Sequence, residues 1–363
     1  MIRTLQVIGS LDAGGAQAFA INYARSVVGG EVLCDFAIDH PEYDFYKETI
    51  AALGAKLHVL PELSKVGPRA YKKAWATVFN EGRYDIVHAH ARSTASLYLS
   101  VAKKAGVATV SHSHSTSNGT GVKAVVKDLL KGGIAKSSDL CLACSKEAGK
   151  WLFGDYPFEV VPNAIHVEDY AYSETSRAKV REELGIPGSA FVYGHVGRFN
   201  QVKNHDYIVD VFSEALNYHP DARLLLVGDG ELRKAIEEKS RQLGIYDKVS
   251  FVGNTHNVAP YYSAMDCMVF PSLWEGIPVT RVEAQAADLP CVVSARVNHE
   301  SALVDNLVTF IPLEERGKWN TALEAAYESQ RHRNPKSPVS GSQYDMACQA
   351  ERLTGMYRTL LNG

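Results

Sequence analysis

No apolar run in this chain approaches the roughly 18 residues a helix needs to cross a bilayer, so a helical membrane span is excluded. The opening stretch, MIRTLQVIGSLDAGG, has one basic residue and a short apolar segment that Asp12 and the glycines interrupt. It reads as a first β-strand entering a loop, not as a secretion signal. Cysteine is scarce. The six residues lie mostly inside apolar runs such as VLCDFAI and DLCLAC, where a thiol packs as a small hydrophobe, and a reducing cytoplasm is the natural setting. Cys141 and Cys144 form a lone C-x-x-C with no second pair or spaced histidines, which favours strand core over half of a zinc site or a redox pair. The 14 prolines and 28 glycines follow no period, so collagen-like and low-complexity chains are excluded. G-x-G-x-x-G with a trailing acid is absent, which removes a nicotinamide-dependent dehydrogenase.

What is present is ordinary globular composition, 46% hydrophobic and 22% charged, over 363 residues, enough for about two domains. A net charge of -3 gives no footprint for nucleic acid, and no such partner is expected. The charge is uneven: residues 1–165 carry 18 Lys and Arg against 15 Asp and Glu, and residues 166–363 carry 20 against 26. The positives of the first half cluster as Lys65, Arg69, Lys72, Lys73 and as Lys123, Lys127, Lys131, Lys136, at spacings that put several on one helix face. Such a face is either plainly solvated or rests on an anionic membrane surface.

Short apolar, β-rich runs alternate with amphipathic segments. TLQVIG, VLCDFAI, KLHVL, DIVHAH, ATVSHS, LCLAC and FEVV precede residue 162; a turn-like Val161-Pro162-Asn163-Ala164 and a polar linker follow; then come FVYGHVG, RLLLVG, VSFVG, CMVFPS, PCVVS and VTFIP. This predicts an α/β chain of two Rossmann-like, doubly wound parallel-sheet domains, spanning 1–165 and 166–342. Residues 343–363 form a terminal helix with Met346, Ala350, Leu353, Met356 and Leu360 at helical spacing, placed to pack back on the first domain.

In such sheets ligands bind beyond the carboxyl ends of the strands, so the chemistry belongs in the loops that follow these runs. Gly14 and Gly15 open a helix after the first strand, where backbone N–H groups can approach an anion, although a plain tight turn has the same look. FVYGHVG ends in Gly197, with Arg198 beside it and Lys203 five residues on. Two fixed cations at one strand end suit a diphosphate leaving group, whose charge grows as its bond breaks. In CMVFPSLWEGIPVTRVEAQAADLPCVVS, Glu275 follows the strand and Glu283 lies about one turn into the next helix. Backbone N–H groups after Gly276 suit phosphate, and a carboxylate at helix depth suits ribose hydroxyls. His88 and His90, then His112 and His114, stand at two strand ends, each pair on one strand face. That spacing is compatible with a metal. None is expected, because Arg198 and Lys203 can neutralise the charge and no Asp-x-Asp pair occurs.

In order and spacing, FPSLWEGIPVTRVEAQAADLP, GHVGRFNQVKNH and VVPNAI resemble the two-glutamate motif, the donor loop and the interdomain hinge of the retaining family 4 glycosyltransferases. Within that family the chain is similar to bacterial enzymes of exopolysaccharide and capsule biosynthesis. The resemblance covers nearly the whole chain. It implies the GT-B fold, with two domains facing across a cleft, and transfer of a hexose or N-acetylhexosamine from a nucleotide-sugar, UDP by default, to a saccharide or lipid-linked acceptor. It also implies that no cofactor or metal is needed, and that the enzyme is cytoplasmic or peripheral at the inner membrane face.

By the same resemblance Arg198 and Lys203 bind the donor diphosphate, with Gly197 in their loop, and Glu283 binds the ribose. Glu275 with the backbone of Gly276, Ile277 and Pro278 holds the donor sugar or its phosphates. His114 is the acceptor-side histidine, with His112 as the alternative register. Gly14 and Gly15 face donor phosphate and acceptor, and Gly228 and Gly253 line the nucleobase pocket. The chain departs from the family in reading GGAQ for GGAE and EGIP for EGFG. A sugar-nucleotide isomerase on the same scaffold, or a non-catalytic nucleotide-sugar-binding partner subunit, are the competing readings.

Overall fold

The computed structural model describes residues 1–90, 94–115, 132–329 and 332–363; Lys123, Lys127 and Lys131 of the second basic cluster lie outside them. The chain divides into two compact units, residues 1–165 with 341–363, and residues 166–340.

The sheet of unit 1 is built from β1 (Ile2–Ser10), β2 (Val32–His40), β3 (Leu57–Val59), β4 (Ile86–Ala89), β5 (Ala108–Ser113), β6 (Leu140–Ala143) and β7 (Glu159–Val160). Its order is β3-β2-β1-β4-β5-β6-β7 and every pairing is parallel. Unit 2 has β8 (Val192–Val196), β9 (Arg223–Val227), β10 (Val249–Gly253), β11 (Cys267–Phe270), β12 (Cys291–Ser294) and β13 (Val308–Ile311), in the parallel order β10-β9-β8-β11-β12-β13. The two doubly wound sheets expected from the alternation are therefore present, each strand within a residue or two of its apolar run. Helices cover both faces, so central strands such as β4, β8 and β11 are buried at every position and are mostly apolar, with His88 and His195 as buried exceptions.

Each sheet starts at a central strand, winds outward one way, and returns to wind the other way. Strand order thus reverses between β1 and β4 in unit 1, and between β8 and β11 in unit 2. Loops leaving two adjacent strands in opposite directions open a crevice at that point, where ligands of this architecture bind.

The helix Met346–Asn362 is capped by Asp345, whose carboxylate accepts from Ala347 N, and belongs to unit 1. Met346, Ala350, Leu353 and Tyr357 fall on one stripe and bury against Phe19 and Tyr23 of the helix Gly15–Val27 and against Ile86, Val110 and Leu142 of the sheet. Burial of a side chain the size of Met346 or Leu353 contributes about 1.5–3 kcal/mol. Met356 and Leu360 flank the stripe partly buried, and Tyr357, absent from the sequence pattern, takes its centre. Cys141, Cys144, Cys267 and Cys291 are buried as expected, whereas Cys348 is exposed. Among the described residues no helix is long and apolar enough to cross a membrane.

Candidate active site

In unit 2, β8 delivers the chain to Gly197 and Arg198 at the strand-order reversal. The backbone passes tightly there. A side chain on Gly197 would meet His195 Nε2 at 2.8 Å and the Lys203 methylenes at 3.2 Å. Gly228, at φ +132°, lies so close that a Cβ would overlap the Gly197 carbonyl oxygen, and its N–H donates to Gly253 O at 2.9 Å. The loop is then sewn to the one leaving β11: Asn204 Nδ2 donates to Pro271 O, and Leu273 N to Val202 O.

That stitching aims Lys203 at Glu275. Lys203 Nζ lies 2.8 Å from Glu275 Oε1 and 3.0 Å from Oε2, with Phe270 beneath it at 4.8 Å. Ser272 Oγ donates to Glu275 Oε1 at 2.6 Å, and both charged side chains keep only about 15% exposure. An ammonium has three donors. With two on the carboxylate, the third can go to an anion. Arg198 is different in kind, because it is 72% exposed and only loosely paired with Glu231 at 3.5 Å. The two cations of one motif are therefore a largely buried, closely paired one and an exposed, loosely paired one.

Glu283 stands on the helix Val279–Ala286 that follows Glu275 and is buried. Tyr262 donates to Oε2 at 2.7 Å and Tyr170 to Oε1 at 3.1 Å. Burial pushes its carboxyl above the usual range, and the two phenols and the nearby Lys203 pull it partly back. Each oxygen keeps lone-pair capacity for a hydroxyl donor. Gly276 is exposed just before this helix, and Pro278, its N-cap residue, offers a backbone carbonyl but no N–H. The N–H groups available there are those of Gly276, Ile277 and Val279.

In unit 1, Gly14 precedes the helix Gly15–Val27 with no side-chain cap. The glutamine of GGAQ folds back over it: Gln17 Nε2 donates to Asp12 Oδ1 at 2.6 Å and to Ser10 Oγ at 3.2 Å, contacts a glutamate could not make as a donor. The four histidines form two close pairs side by side, with His88 5.4 Å from His112 and His90 5.1 Å from His114. His88 stacks on His90 at 4.1 Å and His112 lies against His114 at 4.0 Å, with Phe19 packed across His90, His112 and His114. His112 is buried with Nε2 donating to Val161 O at 2.9 Å, so it faces the core. His114, just beyond β5, is half-buried and meets Asn163 through Nδ1 at 2.7 Å. Burial and the neighbouring rings hold His88, His90 and His112 well below the ordinary histidine range, so these imidazoles are neutral. Among the described residues, His88, His90 and His112 bring ligand nitrogens within 4.8 Å of one another, as do His40, Glu42 and Glu62. In the first group both nitrogens of His90 already have partners.

Residues 176–335 match the family model of glycosyl transferases group 1, and residues 13–169 that of glycosyltransferase family 4. EpsF of Bacillus subtilis, named as a glycosyltransferase, is 32% identical over 327 residues, covering 86% of this chain and 84% of its own. The chain is a family 4 glycosyltransferase. The UDP-Gal:alpha-D-GlcNAc-diphosphoundecaprenol alpha-1,3-galactosyltransferase of Escherichia coli is 30% identical over 240 residues, 62% of this chain and 61% of that one. HepE of Anabaena, solved with UDP and glucose, superposes with a TM-score of 0.79 at 18% identity, over 99% of this chain and 100% of that one, and so shares the fold.

In this glycosyltransferase the structure brings Gly197, Arg198, Lys203, Gly228, Gly253 and Glu275 around one strand-order reversal, with Glu283 behind them. His114 and the Gly14–Gly15 turn belong to the other unit. The sequence reading missed Tyr170, Tyr262 and Ser272 as supports of the two glutamates, and Gln6, Asn163 and Tyr357 as partners of the histidines. Tyr262 carried a faint signal, a tyrosine in the short apolar stretch before β11; Tyr170 carried none.

Proposed function

We propose that the enzyme is a retaining transferase that moves a hexose or N-acetylhexosamine from a UDP-sugar to a saccharide or lipid-linked saccharide acceptor in surface polysaccharide biosynthesis. The observation that carries this reading is the Lys203–Glu275 pair at the unit 2 strand-order reversal, with Arg198 exposed in the same loop and Glu283 held by two phenols. The named substrates of the Escherichia coli relative, a UDP-sugar and a diphosphoundecaprenol-linked sugar, support the donor and acceptor classes.

Lys203 and Arg198 stabilise the departing diphosphate, Glu283 holds the ribose, and Glu275 with the N–H groups of Gly276 and Ile277 orients the donor sugar. Gly197, Gly228 and Gly253 let the backbone approach the nucleotide. The acceptor oxygen attacks the anomeric carbon on the face from which the diphosphate leaves. The old carbon–oxygen bond breaks as the glycosidic bond forms, and the hydroxyl proton passes to the departing phosphate oxygen. Fixed cations act where charge develops, so no metal or cofactor enters this scheme. His114 with the Gly14–Gly15 turn forms the acceptor side in unit 1. Exposed Lys65, Arg69, Lys72 and Lys73 supply a basic face for the anionic inner surface of the cytoplasmic membrane, each worth about 1 kcal/mol there. Flotation with anionic but not neutral vesicles is expected, and equal behaviour on both refutes that contact.

The deciding experiment incubates the protein with UDP-, GDP- and ADP-sugars and detects freed nucleotide. Release from a UDP-sugar supports the reading. Conversion of the sugar with no nucleotide freed points to an isomerase, and binding without any product to a non-catalytic subunit; either overturns it.

A further inference from the structure

Hydrogen bonds in the interior of unit 1 run in one direction and end at His114. Thr4 Oγ1 donates to the Leu33 carbonyl at 3.2 Å, so its oxygen is left to accept from Gln6 Nε2 at 3.0 Å. That contact orients the Gln6 amide and puts Oε1 at 2.9 Å from His90 Nε2. A carbonyl oxygen only accepts, so His90 carries its proton on Nε2. Because His90 is buried and neutral, Nδ1 is then a bare acceptor. His114 Nε2 lies 2.8 Å from that nitrogen and must be the donor.

We propose that Gln6 and His90 are positioning residues that hold His114 in the Nε2–H state, and that His114 orients the acceptor side without acting as a general base. The second ring nitrogen, Nδ1, faces Asn163, whose amide decides the remaining proton. With the amide oxygen toward the ring, as at 2.7 Å, Nδ1 is protonated and the ring is an imidazolium; with the amide nitrogen toward it, the ring is neutral. In both states the two nitrogens are engaged by protein groups, and the interior one is always the donor. An imidazole held this way has no lone pair aimed at an acceptor hydroxyl. This agrees with a transfer in which the leaving phosphate takes the proton, and it rests on the reading above only in placing His114 on the acceptor side. Phe19, packed over His90 and His114, ties the same rings to the helix that starts at Gly15.

The test is long-range proton–nitrogen correlation of the histidine rings in the full-length, nitrogen-15-labelled protein, with His114 assigned by the signal lost in His114→Gln. The expected wild-type pattern keeps a proton on Nε2 at every pH, in the neutral or the doubly protonated ring, and never shows Nδ1–H alone. Gln6→Leu should give mixed tautomers and lower turnover by about tenfold or more, the range in which loss of a group orienting an imidazole is felt. An Nδ1–H pattern in the wild type, or a pattern untouched by Gln6→Leu, overturns the proposal. So does a changed tautomer with unchanged turnover. A protein that frees no nucleotide from any donor would sink the transferase reading instead, and the spectrum would still decide the tautomer.

Discussion

Removing the Lys203 charge while keeping its stem, as Lys203→Met, should have two separable effects. The first is structural. Glu275 loses a cation held at 2.8 and 3.0 Å and keeps only Ser272. Stranding a fully buried partner costs about 3–5 kcal/mol, whereas a fully exposed pair is worth about 0–1. At about 15% exposure on each side, a loss of roughly 1–2 kcal/mol is expected. The second is kinetic. The third ammonium donor no longer meets the departing diphosphate, and losing one preorganised donor costs about 3 kcal/mol of barrier, or roughly a hundredfold in turnover. The double variant Lys203→Met with Glu275→Gln removes the stranded charge, so it should regain most of the stability but none of the turnover. Denaturant melts and steady-state release of nucleotide read the two quantities separately. Turnover of Lys203→Met within a few-fold of wild type, or a double variant that recovers turnover along with stability, would refute a direct role for Lys203.

Arg198→Ala should lower turnover and leave the melting midpoint within about 0.5 kcal/mol of wild type, because the side chain is mostly solvated; a clear loss of stability would mean its loose pair with Glu231 matters more than its reach. Glu283→Gln should abolish tight donor binding yet stabilise the protein at neutral pH. The folded state holds this proton more firmly than the unfolded chain, so wild-type stability falls as pH rises from the ordinary glutamate range through the raised folded value, and the variant's advantage should vanish in acid. Thermal melts of both proteins across that range are the check, and a constant difference would contradict the assignment of the burial cost.

Legibility followed range along the chain. The strands were readable because strands covered on both faces are mostly apolar, and the loop after β8 because its glycine and cations and the acid after β11 gather at one strand-order reversal. Partners distant in sequence were not readable: Tyr170 reaches Glu283 across 113 residues, and Val161, 49 residues from His112, is what turns that histidine to the core and leaves His114 at the strand end. Spacing alone could not choose between two histidines two apart, since both share a strand face. Tyr357 escaped because a stripe scored by hydrophobicity passes over a phenol whose oxygen meets His88 Nδ1 at 2.6 Å.

Unit 1 receives its covering helix from residues 346–362, after the whole of unit 2 has been synthesised. The portion made first must therefore wait, with Phe19, Tyr23 and the sheet face around Ile86 uncovered, while the contiguous 166–340 segment can close its own cores. Maturation then runs against the order of translation. A chain truncated after residue 340 and released should show a protease-resistant second unit beside a first unit that is still cleaved, which marks the missing helix as the step in which a chaperone is most needed.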